Sequence, residues 1–355
     1  MRDIKKYQRK ILENIRWDFD AFLISNKDNI FYLTDCELYG CFILILKDGI
    51  FLFSNKIYKD FAKNKKVADE IIIYEDFAKD LKKFVEKKKI KKLGFEDSIS
   101  YRNYNELKEN LDFIKLIPVK DLIEDFRKIK EDEELRLIKK AISIAERTFS
   151  EIKEMIRSKA KIRDIAFEFL YKLRKNKAEK EAFDPILATG KTSSYPHAYL
   201  SSEAVKDHLI FDFGARYKGY NSDITRTIIL KENKKLQKIY NIVLKAQKEA
   251  INLIKPGLEI SSVDKKIREI FEKEKLLKYF LHSSGHGIGI AVHEKPTISY
   301  REKEKFSENM VVTIEPGIYI PNLGGVRIED MILITKTGFR VLTSLKKEEE
   351  DFLWC

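Results

Sequence analysis

LIFDFGARYKGYNSDITRTI, residues 209–228, decides how the rest of this chain is read. Two runs rich in β-branched and aromatic residues flank a turn containing Lys218-Gly219, the pattern of an antiparallel hairpin. Side chains alternate along a strand. Leu209, Phe211 and Phe213 therefore take one face and Asp212 the other, while Asp223 and Thr225 share a face. A fold about residues 217/218 sets Asp212 opposite Asp223. Cross-strand Cβ atoms lie ~4.5–5.5 Å apart. Two carboxylates at that spacing repel each other, and beside an apolar strand they are poorly solvated. A shared proton or a bound cation has to offset this.

The same reasoning applies to MVVTIEPGIYIPNLGGVRIEDMILI, residues 310–334. A fold about Asn322 sets Glu315 opposite Glu329, with Arg327 on the face of Glu329. Between the two hairpins lies SSGHGIGIAVHE, 283–294, where Gly285, Gly287 and Gly289 let backbone approach a site closely. His286 and His293 are seven apart in a segment too glycine-rich for a good helix, so one can be a ligand while the other points at a substrate. Four carboxylates and one imidazole form a hard, oxygen-rich donor set. It suits Mn²⁺, Co²⁺, Fe²⁺ or Zn²⁺ rather than a thiolate site. Four negative charges balance two divalent ions, leaving a bridging hydroxide as nucleophile in the manner of two-metal sites. Singly, these features have plain structural explanations: a surface acid pair, a Gly-His-Gly turn, a Glu329–Arg327 ion pair. Two facing acid pairs bracketing one Gly-His-Gly loop point to metal. His208 and His282 read as structural.

Outside this region the chain is quieter. Its 355 residues suggest two domains. Hydrophobic residues make up 44%, enough for a real core, so intrinsic disorder and collagen-like structure are excluded. No apolar run reaches membrane-spanning length, and MRDIKKYQRK has no apolar region behind it, so a cytoplasmic protein is expected. Cys36, Cys41 and Cys355 have no metal-ligand spacing, and Cys355, as the last residue, is not a prenylation box. The net charge of +12 is spread thinly along a Lys-, Glu- and Ile-rich chain. Such a composition fits an AT-rich or heat-adapted source better than a nucleic-acid surface.

Residues 1–127 contain no histidine. Helical spacing at 3–16, 76–88 and 101–110 alternates with short apolar runs at 21–24, 42–46, 50–53, 70–73 and 113–117, the pattern of an α/β domain. The charged stretch RKIKEDEE, 127–134, then opens a helix, and the boundary falls at about 128. In 128–355, helical patterns at 160–174, 234–254 and 261–276 accompany strand-like runs at 208–214, 222–230, 310–315, 326–334 and 339–343. This second domain is α+β with antiparallel hairpins.

At these residues the sequence resembles the pita-bread metallopeptidases, within them the Xaa-Pro dipeptidase (prolidase) and Xaa-Pro aminopeptidase branch. The motifs are FDPILATG (183–190), SYPHA (194–198), DFGARYKGYNSDITRT (212–227), GHGIGIAVHE (285–294), TIEPGIYI (313–320) and GGVRIED (324–330). NIFYLTD, 29–35, extends the likeness into the first domain, so it covers essentially the whole chain. Thr192-Ser193-Ser194 departs from the usual residues before the Pro-His, and Ala198 and Ala291 are minor variants.

The resemblance implies an α/β N-terminal domain of creatinase type, 1–127, and a pita-bread catalytic domain, 128–355. It implies two divalent metal ions per subunit, Mn²⁺ or Co²⁺ first and Zn²⁺ or Fe²⁺ next, held by Asp212, Asp223, His286, Glu315 and Glu329. Glu315 would shuttle a proton to the departing nitrogen, and His293 and His197 would donate hydrogen bonds to substrate and intermediate. Arg327 would either bind the substrate's C-terminal carboxylate or orient Glu329. The implied substrates are small peptides with proline second, cleaved by a dipeptidase or, on longer peptides, an aminopeptidase. A homodimer is also implied. A metal-free binding protein on the same scaffold is the competing class, and such relatives characteristically lose ligand residues that are all kept here.

Overall fold

The computed structural model describes residues 2–157 and 159–347. Cys355 and residues 348–351 of the charged tail lie outside them. Contacts divide the chain into two compact units, with the division between Arg127 and Lys128.

The first unit is built on a mixed six-stranded sheet. Its strands are β1 (Ala21–Ile24), β2 (Phe42–Leu46), β3 (Gly49–Ser54), β4 (Glu70–Ile73), β5 (Lys92–Glu96) and β6 (Lys115–Val119), in the order β4-β3-β2-β1-β5-β6. Its helices are α1 (Ile4–Asn14), α2 (Lys27–Thr34), α3 (Lys59–Lys65), α4 (Phe77–Lys88) and α5 (Tyr101–Asn110), followed by α6 (Leu122–Lys128) at the division. FILIL and GIFLFS are apolar nearly throughout and buried along their length, as a sheet covered on both faces requires. Leu81, Phe84 and Val85 of α4 and Leu107 of α5 pack against Leu23, Phe51, Phe53 and Leu93. An apolar-run reading passes over β5, because Lys92, Gly94 and Glu96 interrupt it. Gly94 is needed there, since a Cβ would stand 2.8 Å from the Phe19 ring. Glu96 is buried and accepts from the backbone N–H groups of Ser25 and Asn26, each at 2.7 Å, at the start of α2.

In the second unit, α7 (Asp132–Ile152) starts on the charged stretch. Asp132, Glu133 and Glu134 fill its first turn, and Glu131 and Glu134 form a capping box. Then come α8 (Ile162–Lys175), β7 (Lys180–Glu181), β8 (Ile186–Ala188), β9 (His208–Phe213), β10 (Ala215–Tyr217), β11 (Tyr220–Asn221), β12 (Ile224–Ile229), α9 (Lys234–Ile251) and α10 (Ser261–Lys273). The chain continues through β13 (Gly285–Gly287), β14 (Glu294–Ile298), β15 (Val311–Ile314), β16 (Gly317–Ile320), β17 (Gly324–Arg327), β18 (Asp330–Ile334) and β19 (Phe339–Val341). The strand pairs of this unit are antiparallel, in sheets β12-β9-β8, β11-β10-β7, β14-β13-β15-β18-β19 and β16-β17. Helices α7 and α8 cover the apolar face of β9. Phe149 stacks on Phe213 with ring centroids 5.1 Å apart, and Phe169 meets Phe211 at 5.2 Å. Asp212 is thereby turned away from both helices. On the other side, Val243 of α9 and Ile267 of α10 share a core with Val312, Ile314, Val326 and Ile332.

The two hairpin registers differ in how they compare with expectation. In the second, Ile314 pairs with Asp330 and Gly317 with Arg327, which is the register of a fold about Asn322. In the first, Asp212 stands opposite Thr225, not Asp223. The turn is the two-residue Lys218-Gly219 loop, both residues at positive φ (47° and 81°). Such primed turns match the strand twist, so they place the loop's centre between 218 and 219. The resulting shift is two residues along the partner strand, which keeps the face because side chains alternate with period two. Among the described residues, no helix is long and apolar enough to cross a membrane.

Candidate active site

Asp212 lies within β9. Asp223 sits between β11 and β12, Glu315 between β15 and β16, and Glu329 between β17 and β18, so three of the four acids occupy breaks in the strands. Pro316, with no N–H to give, ends the ladder after Glu315. The breaks are tied to neighbouring strands: Glu315 N donates to Ser284 O at 2.9 Å and Glu329 N to Thr225 O at 3.1 Å. His286 is the centre of β13, and its own N–H donates to Thr313 Oγ1 at 3.1 Å. Gly285 must be glycine, because a Cβ would stand 2.0 Å from Thr313 O.

These residues converge. One ligand atom each from Asp223, His286 and Glu329 lies within 4.8 Å of the others. His286 Nε2 is 3.7 Å from Asp223 Oδ2 and 3.5 Å from Glu315 Oε1. Asp212 Oδ2 accepts from Arg327 Nη2 at 2.7 Å. Burial and the charges of Glu329, Asp212 and Glu315 push the Asp223 carboxyl well above the usual carboxylate range. Burial and Glu329 do the same to Glu315. Glu329 is raised to about 8 by burial and Asp212, with Arg327 opposing. Burial and the neighbouring His293 lower His286 to about 4, so its ring is neutral at pH 7.

The donor set fits divalent cations. His286 Nδ1 lies 3.0 Å from Gly287 O. That bond assigns the proton to Nδ1 and leaves the Nε2 lone pair facing two carboxyl groups, an arrangement that a shared proton or an intervening cation makes favourable. Asp212 Oδ1 and Glu329 Oε1 are buried without a hydrogen-bond partner. Orphaned buried oxygens of this kind are rare in folded proteins.

The other residues singled out from sequence surround this cluster. His286 and His293 have ring centroids 4.2 Å apart. His293 keeps an exposed edge, yet its partial desolvation lowers its pKa against the opposing charge of Asp212. His197 is exposed on the loop after Pro196, whose carbonyl accepts from Arg327 Nη1 at 3.1 Å. Close packing places that loop: a Cβ on Gly325 would stand 2.2 Å from Ser193 O, and Gly325 N donates to Ser193 Oγ at 2.8 Å. His208 is buried between Ser193 Oγ (2.7 Å) and Asp207 Oδ1 (2.9 Å). His282 is held between Ser283 O (2.7 Å) and Tyr319 Oη (2.9 Å), and burial lowers it to about 4. Both thus have structural partners.

Arg327 is 4% exposed, and its guanidinium is committed. Besides Asp212 and Pro196 it donates from Nη1 to Tyr319 Oη at 2.8 Å and from Nε to Thr225 Oγ1 at 3.1 Å. Thr225 Oγ1 in turn donates to Glu329 Oε2 at 2.8 Å. Sequence reasoning assigned no role to Thr225 or Tyr319. Thr225 carried one usable signal, the face it shares with Asp223; Tyr319 carried none.

Models of two families match nearly end to end: the Creatinase/Prolidase N-terminal domain over residues 7–129 and metallopeptidase family M24 over 136–336. The chain belongs to metallopeptidase family M24 and is a peptidase of the divalent-metal-dependent type. It is 39% identical over 345 residues to an Xaa-Pro dipeptidase of Pyrococcus horikoshii, covering 96% of this chain and 97% of that one. It superimposes on an Xaa-Pro dipeptidase from Bacillus anthracis with a TM-score of 0.89, at 36% identity and 97% coverage of both chains. An X-Pro aminopeptidase from Thermotoga maritima gives a TM-score of 0.83 at 34% identity, covering 93% of this chain and 97% of that one. The pita-bread catalytic fold with a creatinase-type companion, expected from the motifs, is the fold observed.

Proposed function

We propose that the protein hydrolyses Xaa-Pro bonds as a metal-dependent dipeptidase, with two divalent ions per subunit, Mn²⁺ or Co²⁺ first. The buried acid cluster carries the metal-dependent part of this reading: two orphaned carboxylate oxygens and a neutral imidazole lone pair aimed at acids 3.5 and 3.7 Å away; the Xaa-Pro part rests on the likeness to Xaa-Pro dipeptidases. Asp212, Asp223, His286, Glu315 and Glu329 would hold the ions. When bound, such ions polarise a carbonyl and acidify water. Glu315, on the least enclosed side of the cluster, takes a proton from the attacking water and delivers it to the proline nitrogen. That delivery matters, because the C–N bond breaks readily only when the nitrogen has gained a proton and can leave as the neutral secondary amine of proline. His293 and His197, at the exposed mouth, donate hydrogen bonds to the substrate and to the oxygen that gains charge. The bonds of Arg327 support the orienting role over the carboxylate-binding one: it holds Asp212 directly and Glu329 through Thr225. By likeness to the family, the enzyme would work as a cytoplasmic homodimer.

The Thermotoga likeness makes an Xaa-Pro aminopeptidase the second reading. The test is hydrolysis of Ala-Pro against Ala-Pro-Ala with Mn²⁺ or Co²⁺ added. Cleavage of Ala-Pro that a chelator abolishes and added metal restores is expected. A strong preference for the tripeptide favours the aminopeptidase, and activity that survives prolonged chelation overturns the metal-dependent mechanism.

A further inference from the structure

The ion pair of Lys130 and Glu294 takes no part in the reaction as described above, yet its two side chains are almost wholly enclosed. Lys130 Nζ lies 2.8 Å from Glu294 Oε1, and the two side chains are 1% and 5% exposed. Burying both charges is costly, and replacing such a pair by well-packed hydrophobic residues of similar volume is often neutral or stabilising for folding. Stability alone is a poor reason to keep it.

Its surroundings suggest another reason. Glu294 directly follows His293. A Cβ on Gly289 would stand 2.5 Å from Glu294 Oε1 and 3.2 Å from Lys130 Cε, so the pair lies flat against the loop that runs from His286 to His293. Buried Ile288 and Ile290 hold the first part of that loop, but residues 291–293, which lead to the His293 ring, have no buried side chain to lock them. Asn221, two residues before Asp223, grips it as well: Nδ2 donates to Ile290 O at 2.7 Å and N to Gly289 O at 2.8 Å. Lys130 stands on a fixed base, its N–H donating to Asn309 O at 2.9 Å and Ile129 bridging Met310. Four residues on, Glu134 accepts from Tyr220 Oη at 2.8 Å, beside Asn221.

We propose that Lys130 is a positioning residue for the peptidase reaction: through Glu294 it fixes the 287–293 loop and so aims His293 at the acid cluster. The inference rests on the function proposed above. The residues leading into α7, with its first turn, then act as a bracket for two arms of the site, the His293 loop and the strand leading to Asp223.

The test compares Lys130→Met, Glu294→Gln and the double variant. Each single variant takes the ion-pair partner from one buried charge and loses thermal stability; the double variant removes both charges and regains it. If the pair served stability alone, the double variant would regain full turnover too. The expected result is a double variant that melts close to the wild type with kcat on Ala-Pro lowered about 10–100-fold, the scale of a small misplacement of a catalytic group, and KM changed by less than about threefold. A second readout is the His293 ring resonance of zinc-loaded protein carrying labelled histidine, feasible with five histidines in the chain. It should shift or broaden in the double variant. A double variant with wild-type kcat overturns the inference, as does an unmoved His293 resonance. A wild-type protein that cleaves no Xaa-Pro peptide sinks the proposed function instead, and the resonance alone then decides the role of Lys130.

Discussion

Loading the metal-free protein with divalent metal at pH 7 should expel protons, because the acid cluster holds them when no cation is present. The magnitude follows from the site. Glu329, raised to about 8, is about nine-tenths protonated at pH 7. Asp223 and Glu315 are also pushed well above the usual range. If these three hold the ions as proposed, filling the site ionises all of them, since metal ligands must be deprotonated. Release should therefore be at least about one proton per subunit at pH 7 and fall as pH rises through 8, where Glu329 ionises unaided. The sign is the same for stability. An acid whose folded pKa is raised contributes stability that is present below its unfolded value and lost as pH rises through the folded one. The gap in melting temperature between metal-free and loaded protein should accordingly widen from pH 5 to pH 8. Titration of chelator-stripped protein with MnCl₂ in dilute buffer with a pH indicator counts the protons; calorimetry in two buffers of different ionisation heat checks the count. Stoichiometric metal binding at pH 7 with no proton released would refute the reasoning, because the acids would then have been ionised, and tolerated, without a cation.

Thr225→Val removes the hydroxyl between Arg327 and Glu329. Metal affinity, measured by competition with a chelator, should fall about 10–100-fold, as for other losses of a ligand's hydrogen-bond partner; unchanged affinity would show that Glu329 is held without it. The His208 ring and Asn233 keep Asp207 well below the usual carboxylate range despite its partial burial. Its stabilising contribution is present above the unfolded value near 4 and lost as pH falls through the folded one. Urea unfolding at pH 5 and pH 3 should show a smaller acid loss of stability in Asp207→Asn than in the wild type, and an equal loss would dismiss the pair as an acid-sensitive contact.

The hairpins show how far local pattern carries. Glu315 and Glu329 stand in the register expected of a fold about Asn322. Asp212 faces Thr225 where Asp223 was expected, yet the acids still gather, because the two-residue shift preserved the face. Strand β5 was invisible to an apolar-run reading, since its glycine answers to Phe19 and its buried glutamate to the start of α2. Both partners are remote in the chain.

Alternation, turn chemistry and residue type thus determined, within the sequence itself, which side chains share a face and which could ligate metal, because those rules act over a few residues. Only the tertiary structure decided what holds them. Arg327 reaches Asp212 across 115 positions, Thr225 reaches Glu329 across 104, and Lys130 reaches Glu294 across 164. Such partners are chosen by how sheets and helices close around the site, and no local periodicity encodes a hydrogen bond over that span.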